Sequence, residues 1–81
     1  ALQAYPNPFT ETLEIKSFAL LTNTAFLLEI YDVSGRIINT PQLITNHVVI
    51  ETSGWSPGFY TARVYDAHSS TYRSIQLVKT P

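Results

Sequence analysis

Cysteine is absent from the 81 residues, which removes disulfide staples, thiol nucleophiles and cysteine-based zinc sites together. The absence selects no compartment, because a cysteine-free domain tolerates any redox environment. Basic charge is equally sparse: Lys16, Arg36, Arg63, Arg73 and Lys79 are scattered, and the formal net charge is −1. A nucleic-acid binder carries a basic patch or stripe, and the sequence has none. Long apolar runs are missing too. The longest candidate, Phe18 to Leu28, is broken by Thr22, Asn23 and Thr24 and is too short and polar to span a bilayer, so direct membrane insertion is not expected. The first residues, Ala1 to Pro6, offer neither a basic n-region nor an apolar run. No export signal is read here, and the chain is expected to be one domain of something longer. Three glycines leave no Gly-rich phosphate loop.

What remains is β-structure. A chain of this length buries only about 60–65% of its unfolded surface, so a single thin core is expected. Nearly every segment alternates with period two and is rich in β-branched or aromatic residues. Strands are expected at Thr12 to Lys16, from Phe26 to Tyr31, at Arg36 to Thr40, His47 to Glu51, Phe59 to Asp66 and Thr71 to Lys79. Ser17 to Leu21 reads as a further strand or a loop. The inward set comprises Leu13, Ile15, Phe26, Leu28, Ile30, Val48, Ile50, Tyr60, Ala62, Val64, Ile75 and Leu77. Asp32-Val33-Ser34-Gly35 suits a type I turn with a left-handed glycine. Ser56-Pro57-Gly58 suits a type II turn, and positive φ is expected at both Gly35 and Gly58. Six or seven short strands with regular turns predict an all-β antiparallel sandwich over residues 10–81. Residues 1–9 form a proline-rich lead-in. There Pro6 and Pro8 remove two backbone donors and hold the chain near polyproline II, leaving Tyr5 and Phe9 free to pack over the open end.

Catalytic groups do not converge. His47 opens a strand and His68 lies in a polar loop, and neither has a second ligand at metal-binding spacing. Glu14, Glu29 and Glu51 fall opposite the apolar residues, where solvated carboxylates belong. Ser34 lacks the Gly-x-Ser-x-Gly frame of a nucleophile elbow. Catalytic residues, cofactors and metals are therefore all expected to be absent, and the chain is read as no enzyme. Trp55, Tyr60, Tyr65, Tyr72 and Tyr31 could line a sugar platform or a partner surface. Tyr31, Tyr65 and Tyr72 fall on outward faces while Tyr60 points inward, and an exposed strand aromatic can simply pack across strands.

Four features, in order, resemble the type A C-terminal sorting domains of proteins exported by the type IX secretion system of Bacteroidetes-type bacteria. They are Pro6-Asn7-Pro8, Asp32 with Gly35-Arg36, Gly58-Phe59-Tyr60, and the closing strand Ile75-Gln76-Leu77-Val78-Lys79. Arg73 stands where the family often carries an earlier lysine, and Thr80-Pro81 follow Lys79. The resemblance implies an immunoglobulin-like sandwich of about seven strands that serves as a secretion signal. It implies an attached N-terminal cargo, passage through the periplasm and delivery to the cell surface or medium. It implies recognition by an outer-membrane translocon and its shuttle protein, then removal by a sortase-like protease. The terminal strand, namely Arg73, Ile75, Leu77, Val78 and Lys79, would carry recognition, with Lys79 near an exposed end and the strand open to β-augmentation. The competing reading is an ancillary immunoglobulin-like or carbohydrate-binding module of a secreted enzyme.

Overall fold

The computed structural model describes residues 2–17, 26–38, 42–44, 47–66 and 72–81. The strands are β1 Leu2–Tyr5, β2 Thr12–Ser17, β3 Phe26–Asp32, β4 Gln42–Ile44, β5 His47–Glu51, β6 Gly58–Asp66 and β7 Tyr72–Lys79. They form two antiparallel sheets, one ordered β1-β2-β5 and the other β4-β3-β6-β7. No helix occurs among the described residues.

Register explains why one core results. Leu13 lies opposite Ile50 and Ile15 opposite Val48 in the first sheet. In the second, Leu28 faces Val64, Ile30 faces Ala62, and Tyr60 faces Leu77. Apolar residues thus meet apolar residues across every central ladder, and a slip of one position would turn each set outward. Leu13, Ile15, Phe26, Leu28, Ile30, Tyr60, Ala62, Val64 and Leu77 are buried in a single cluster, as the alternation predicts. Val48, Ile50 and Ile75 are half-buried and pack against it.

Some elements differ from the sequence reading. Leu2–Tyr5, read as lead-in, pairs with β2 from Leu2↔Ser17 to Tyr5↔Glu14. The strand expected at Arg36 to Thr40 reduces to an isolated bridge between Tyr31 and Ile37, while β3 takes Gln42–Ile44 as its edge partner. Among the described residues the tight Asp32 turn returns the chain for this one bridge, with the Ile38 N–H also donating to the Ile30 carbonyl at 2.9 Å. Residues 39–41 and the expected connections at 18–21 and 67–70, His68 included, lie outside the described residues. Gly35 has φ +88° and Gly58 φ +146°, so both glycines are left-handed as expected. The value at Gly58 departs from the +80° of a type II turn. Thr52 is fully buried and polar. Its N–H donates to the Glu11 carbonyl at 2.8 Å and its hydroxyl approaches the Thr10 carbonyl at 3.4 Å, which satisfies groups that would otherwise be costly inside.

Ile30 is fully enclosed at the centre of β3. Ile30→Ala is expected to lower unfolding stability by about 2–5 kcal/mol, measured by denaturant titration with an unchanged slope.

Candidate recognition site at the terminal strand

Pro6 and Pro8 have no N–H, so the backbone on either side of Asn7 cannot donate to a neighbouring strand. Both Tyr5–Pro6 and Asn7–Pro8 bonds are cis. The Asn7 side chain supplies what the backbone lacks. Its Nδ2 donates to the Gln76 carbonyl at 3.1 Å, and its Oδ1 accepts the Val78 N–H at 3.0 Å. One carboxamide therefore imitates the donor and acceptor of a paired strand residue. Two residues on, the backbone takes over. Phe9 N–H donates to the Val78 carbonyl at 2.9 Å, and Thr80 N–H donates to the Phe9 carbonyl at 2.8 Å. Phe9 and Lys79 form a parallel bridge. The Phe9 ring is fully buried, edge-on to Trp55 at 5.8 Å and tilted against Tyr60 at 6.4 Å.

This arrangement corrects the expectation of an open terminal strand. The outer edge of β7 is occupied from Gln76 to Thr80 by the chain's own lead-in. Among the described residues nothing pairs with the Tyr72–Ser74 half of that edge. Lys79 is corrected as well: it is 7% exposed, with Nζ donating to the Thr80 carbonyl at 2.9 Å. The pleat accounts for this, since Lys79 shares a face with Ile75 and Leu77. Its stem is covered while its head reaches an oxygen, as long cationic side chains do. Leu77 is fully buried, Ile75 and Val78 are half-buried, and Arg73 is exposed. Of the five residues read as a recognition set, Arg73 is the exposed one.

The other motif residues meet at one end of the sheets. Asp32, Arg36, Gly58 and Tyr60 border a cavity of about 380 Å³ that Val33, Trp55 and Phe59 also line. Asp32 Oδ1 accepts the Ser34 hydroxyl at 2.7 Å and the N–H groups of Ser34 and Arg36 at 3.0 Å each. Its Oδ2 receives Nε and Nη2 of Arg36 at 3.1 and 3.0 Å. The Ser34 hydroxyl above all, with the Arg36 N–H, lowers the Asp32 pKa to about 2. Gly35 closes the turn by donating to the Asp32 carbonyl at 3.0 Å. No atom crowds a β-carbon built there, so a side chain would cost about 1–2 kcal/mol through backbone conformation alone. Tyr60 donates its hydroxyl to the Ser56 carbonyl. The rim is apolar and open, with Val33 85% and Phe59 63% exposed.

On the outer face of the second sheet, Tyr31, Tyr65 and Tyr72 surround Arg63. The guanidinium carbon lies 5.1 Å from the Tyr31 ring centre and 4.8 Å from that of Tyr72, and Nη1 donates to the Tyr65 hydroxyl at 3.3 Å. Tyr31 donates to Glu29 Oε1 at 2.6 Å. That bond, followed by burial, pushes its pKa up to about 12. Arg63 is a residue that the sequence pattern does not single out, whereas Trp55, expected in an aromatic platform, packs against Phe9 and Tyr60. The signal available for Arg63 was its position between outward tyrosines on neighbouring strands. His47 instead pairs with Glu14, Nε2 to Oε1 at 2.6 Å, on the other sheet.

Two outcomes follow for this site. Asn7→Ala removes both carboxamide bonds and is expected to cost about 1–2 kcal/mol, with amide exchange at Val78 accelerating selectively. The depressed Asp32 pKa means the ionised carboxylate stabilises the fold above the unfolded value near 4. That contribution is lost as pH falls from about 4 to about 2. Carbon-detected NMR titration should place the Asp32 midpoint near 2, and Asp32→Asn should flatten the acid limb of the stability profile.

Residues 3–78 match the family described as "Secretion system C-terminal sorting domain". A comparison with curated proteins finds no match. Among solved structures the chain is similar to PorZ, described as an essential bacterial surface component of the type-IX secretion system of the human oral-microbiomic Porphyromonas gingivalis. The TM-score is 0.74 at 19% identity, over 99% of this chain and 11% of that one. At such identity the likeness is one of fold, and it concerns a small part of a much longer protein. The family match takes in Asn7, Phe9 and the Gln76–Val78 segment they clasp, and on its extent the chain belongs to the family of secretion system C-terminal sorting domains.

Proposed function

We propose that this chain is the folded address label of a cargo attached at its N-terminal side, read by the type IX secretion machinery at the outer membrane. The family match over residues 3–78 is the observation that carries this reading. The label does no chemistry of its own. Its partners are the outer-membrane translocon and shuttle protein, and a sortase-like protease then removes it at the cell surface. Transit is through the periplasm.

An immunoglobulin-like sandwich is the finer fold reading. Two features support it. The sheet orders β1-β2-β5 and β4-β3-β6-β7 correspond to strands A-B-E and C′-C-F-G of that architecture. Tyr60, near the start of β6, bonds back to the Ser56 carbonyl, as a tyrosine corner does. The alternative of a sugar-binding module is less well supported, because Arg63 lies over the faces of Tyr31 and Tyr72.

Recognition is proposed at the terminal strand, from Arg73 through Ile75, Leu77 and Val78 to Lys79. The Asn7 clasp fixes the far half of this strand, while the Tyr72–Ser74 edge and the Arg73 side chain remain available to a receptor. Deleting Val78 to Pro81 would also destroy the clasp, so a point substitution separates folding from reading more cleanly. A fluorescent reporter fused ahead of residues 1–81 is expected to reach the medium or surface of a type IX-competent host. Arg73→Glu is expected to hold it in the periplasm while circular dichroism stays unchanged, since exposed substitutions shift stability by only about 0.5 kcal/mol. Retention of the unmodified fusion would refute the address reading. Normal export of Arg73→Glu would move recognition off Arg73.

A further inference from the structure

Arg63 is held in an unusual way for a half-buried cation. Its direct cross-strand neighbour is Glu29, the residue expected to pair with it. Glu29 is instead engaged by the Tyr31 hydroxyl, and no carboxylate pairs with Arg63 among the described residues. Two tyrosine faces hold the guanidinium plane and the Tyr65 hydroxyl accepts from Nη1. Nε is buried without a hydrogen-bond partner. Such a guanidinium is oriented and charged, and among the described residues the bond from Nη1 to Tyr65 is the one hydrogen bond found for it. The fork matches a carboxylate with two parallel bonds, a geometry that lysine does not reproduce.

The surroundings define what could approach. Beside Arg63 lies a depression of about 430 Å³ lined by Tyr31, Asp32, Val33, Gly35, Thr61 and Arg63. The Asp32 carboxylate in its wall is already neutralised by Arg36. The rim residue Val33 is exposed, and on the other side an apolar row crosses the sheet through Leu43, Leu27, Tyr65 and Tyr72. Leu43 and Tyr72 are exposed in that row. A polyanion is a poor fit, because the chain carries a net charge of −1 and offers no basic stripe to follow a phosphate backbone.

We infer that this depression is a docking site for a protein segment presenting a single glutamate or aspartate flanked by apolar side chains, with Arg63 receiving the carboxylate in its fork. Tyr31 has a second task in this arrangement: by occupying Glu29 it keeps the internal carboxylate from filling the fork. The site is on the outer sheet face, separate from the Asn7 clasp, and it stands whether or not the chain is exported.

The test is an NMR titration of the 81-residue chain with N-acetylated, C-amidated Leu-Glu-Leu. The expected result is saturable shifts at the Arg63 Nε–H and at the Gly35 and Thr61 amides. The Leu-Gln-Leu analogue should bind about tenfold more weakly or worse, and Arg63→Gln should lose about tenfold or more toward the glutamate peptide. Tyr31→Phe leaves Arg63 in place but frees Glu29 to compete, so it too should weaken the glutamate peptide. This variant keeps the inference falsifiable should Arg63→Gln fail to fold. Absence of shifts at the depression, equal binding of the glutamine peptide, or undiminished binding by Tyr31→Phe would each overturn the inference. So would inorganic phosphate binding as tightly as the glutamate peptide, because the depression would then be a general anion site.

Discussion

A strand at the border of a sheet presents a row of amide groups that must find water or a neighbour. Here the neighbour for half of the last strand is a side chain. Pro6 and Pro8 strip the lead-in of backbone donors, and the carboxamide of Asn7 returns one donor and one acceptor at strand spacing. Much else depends on that substitution. It delivers Phe9 to the Val78 carbonyl and beneath Trp55 and Tyr60, closing one end of a thin core with an aromatic cluster. It also pairs Phe9 with Lys79, whose side chain the pleat already turns inward, so the end of the last strand is fixed by packing as well as by pairing. A Pro-Asn-Pro sequence is thus a small structural device, independent of any role in being recognised.

Charge is handled in two contrasting ways in the same small domain. Asp32 gathers hydroxyl, amide and guanidinium donors into one turn, so its negative charge is spent locally on holding the hairpin. Arg63 is held mostly by ring faces, which attract a cation without consuming its hydrogen-bonding capacity. The first kind of site rigidifies; the second stays receptive. Both line the same depression, an internally satisfied carboxylate and a guanidinium with no carboxylate partner among the described residues.

The fold was legible because period-two patterning carries both strand and face. Leu13, Ile15, Leu28, Ile30, Ala62 and Leu77 point inward by parity alone, and the structure buries each of them. The same parity placed Lys79 inward, and only the habit of treating terminal lysines as solvated hid it. The strand at Leu2–Tyr5 was obscured because the nearby prolines dominate the local reading, although they begin only after Tyr5. The clasp could not be read at all from local pattern. It joins Asn7 to Gln76 and Val78, nearly the whole chain apart, and no spacing rule connects such positions. Arg63 escaped notice for a related reason: its meaning comes from Tyr31 and Tyr72 on two other strands, and from a Glu29 that is engaged elsewhere.

The parallel sense of the Phe9–Lys79 bridge has a mechanical consequence. In parallel neighbours, the chain entering one strand and the chain leaving the other depart at opposite ends of the contact. A pull between Tyr5, at the end of β1, and whatever grips the residues after Lys79 therefore acts along the two segments. The bonds from Asn7 and Phe9 to Gln76, Val78 and Thr80 then share the load in shear, where an antiparallel pair drawn from one end would unzip bond by bond. The clasp thereby resists sliding of the lead-in past the last strand.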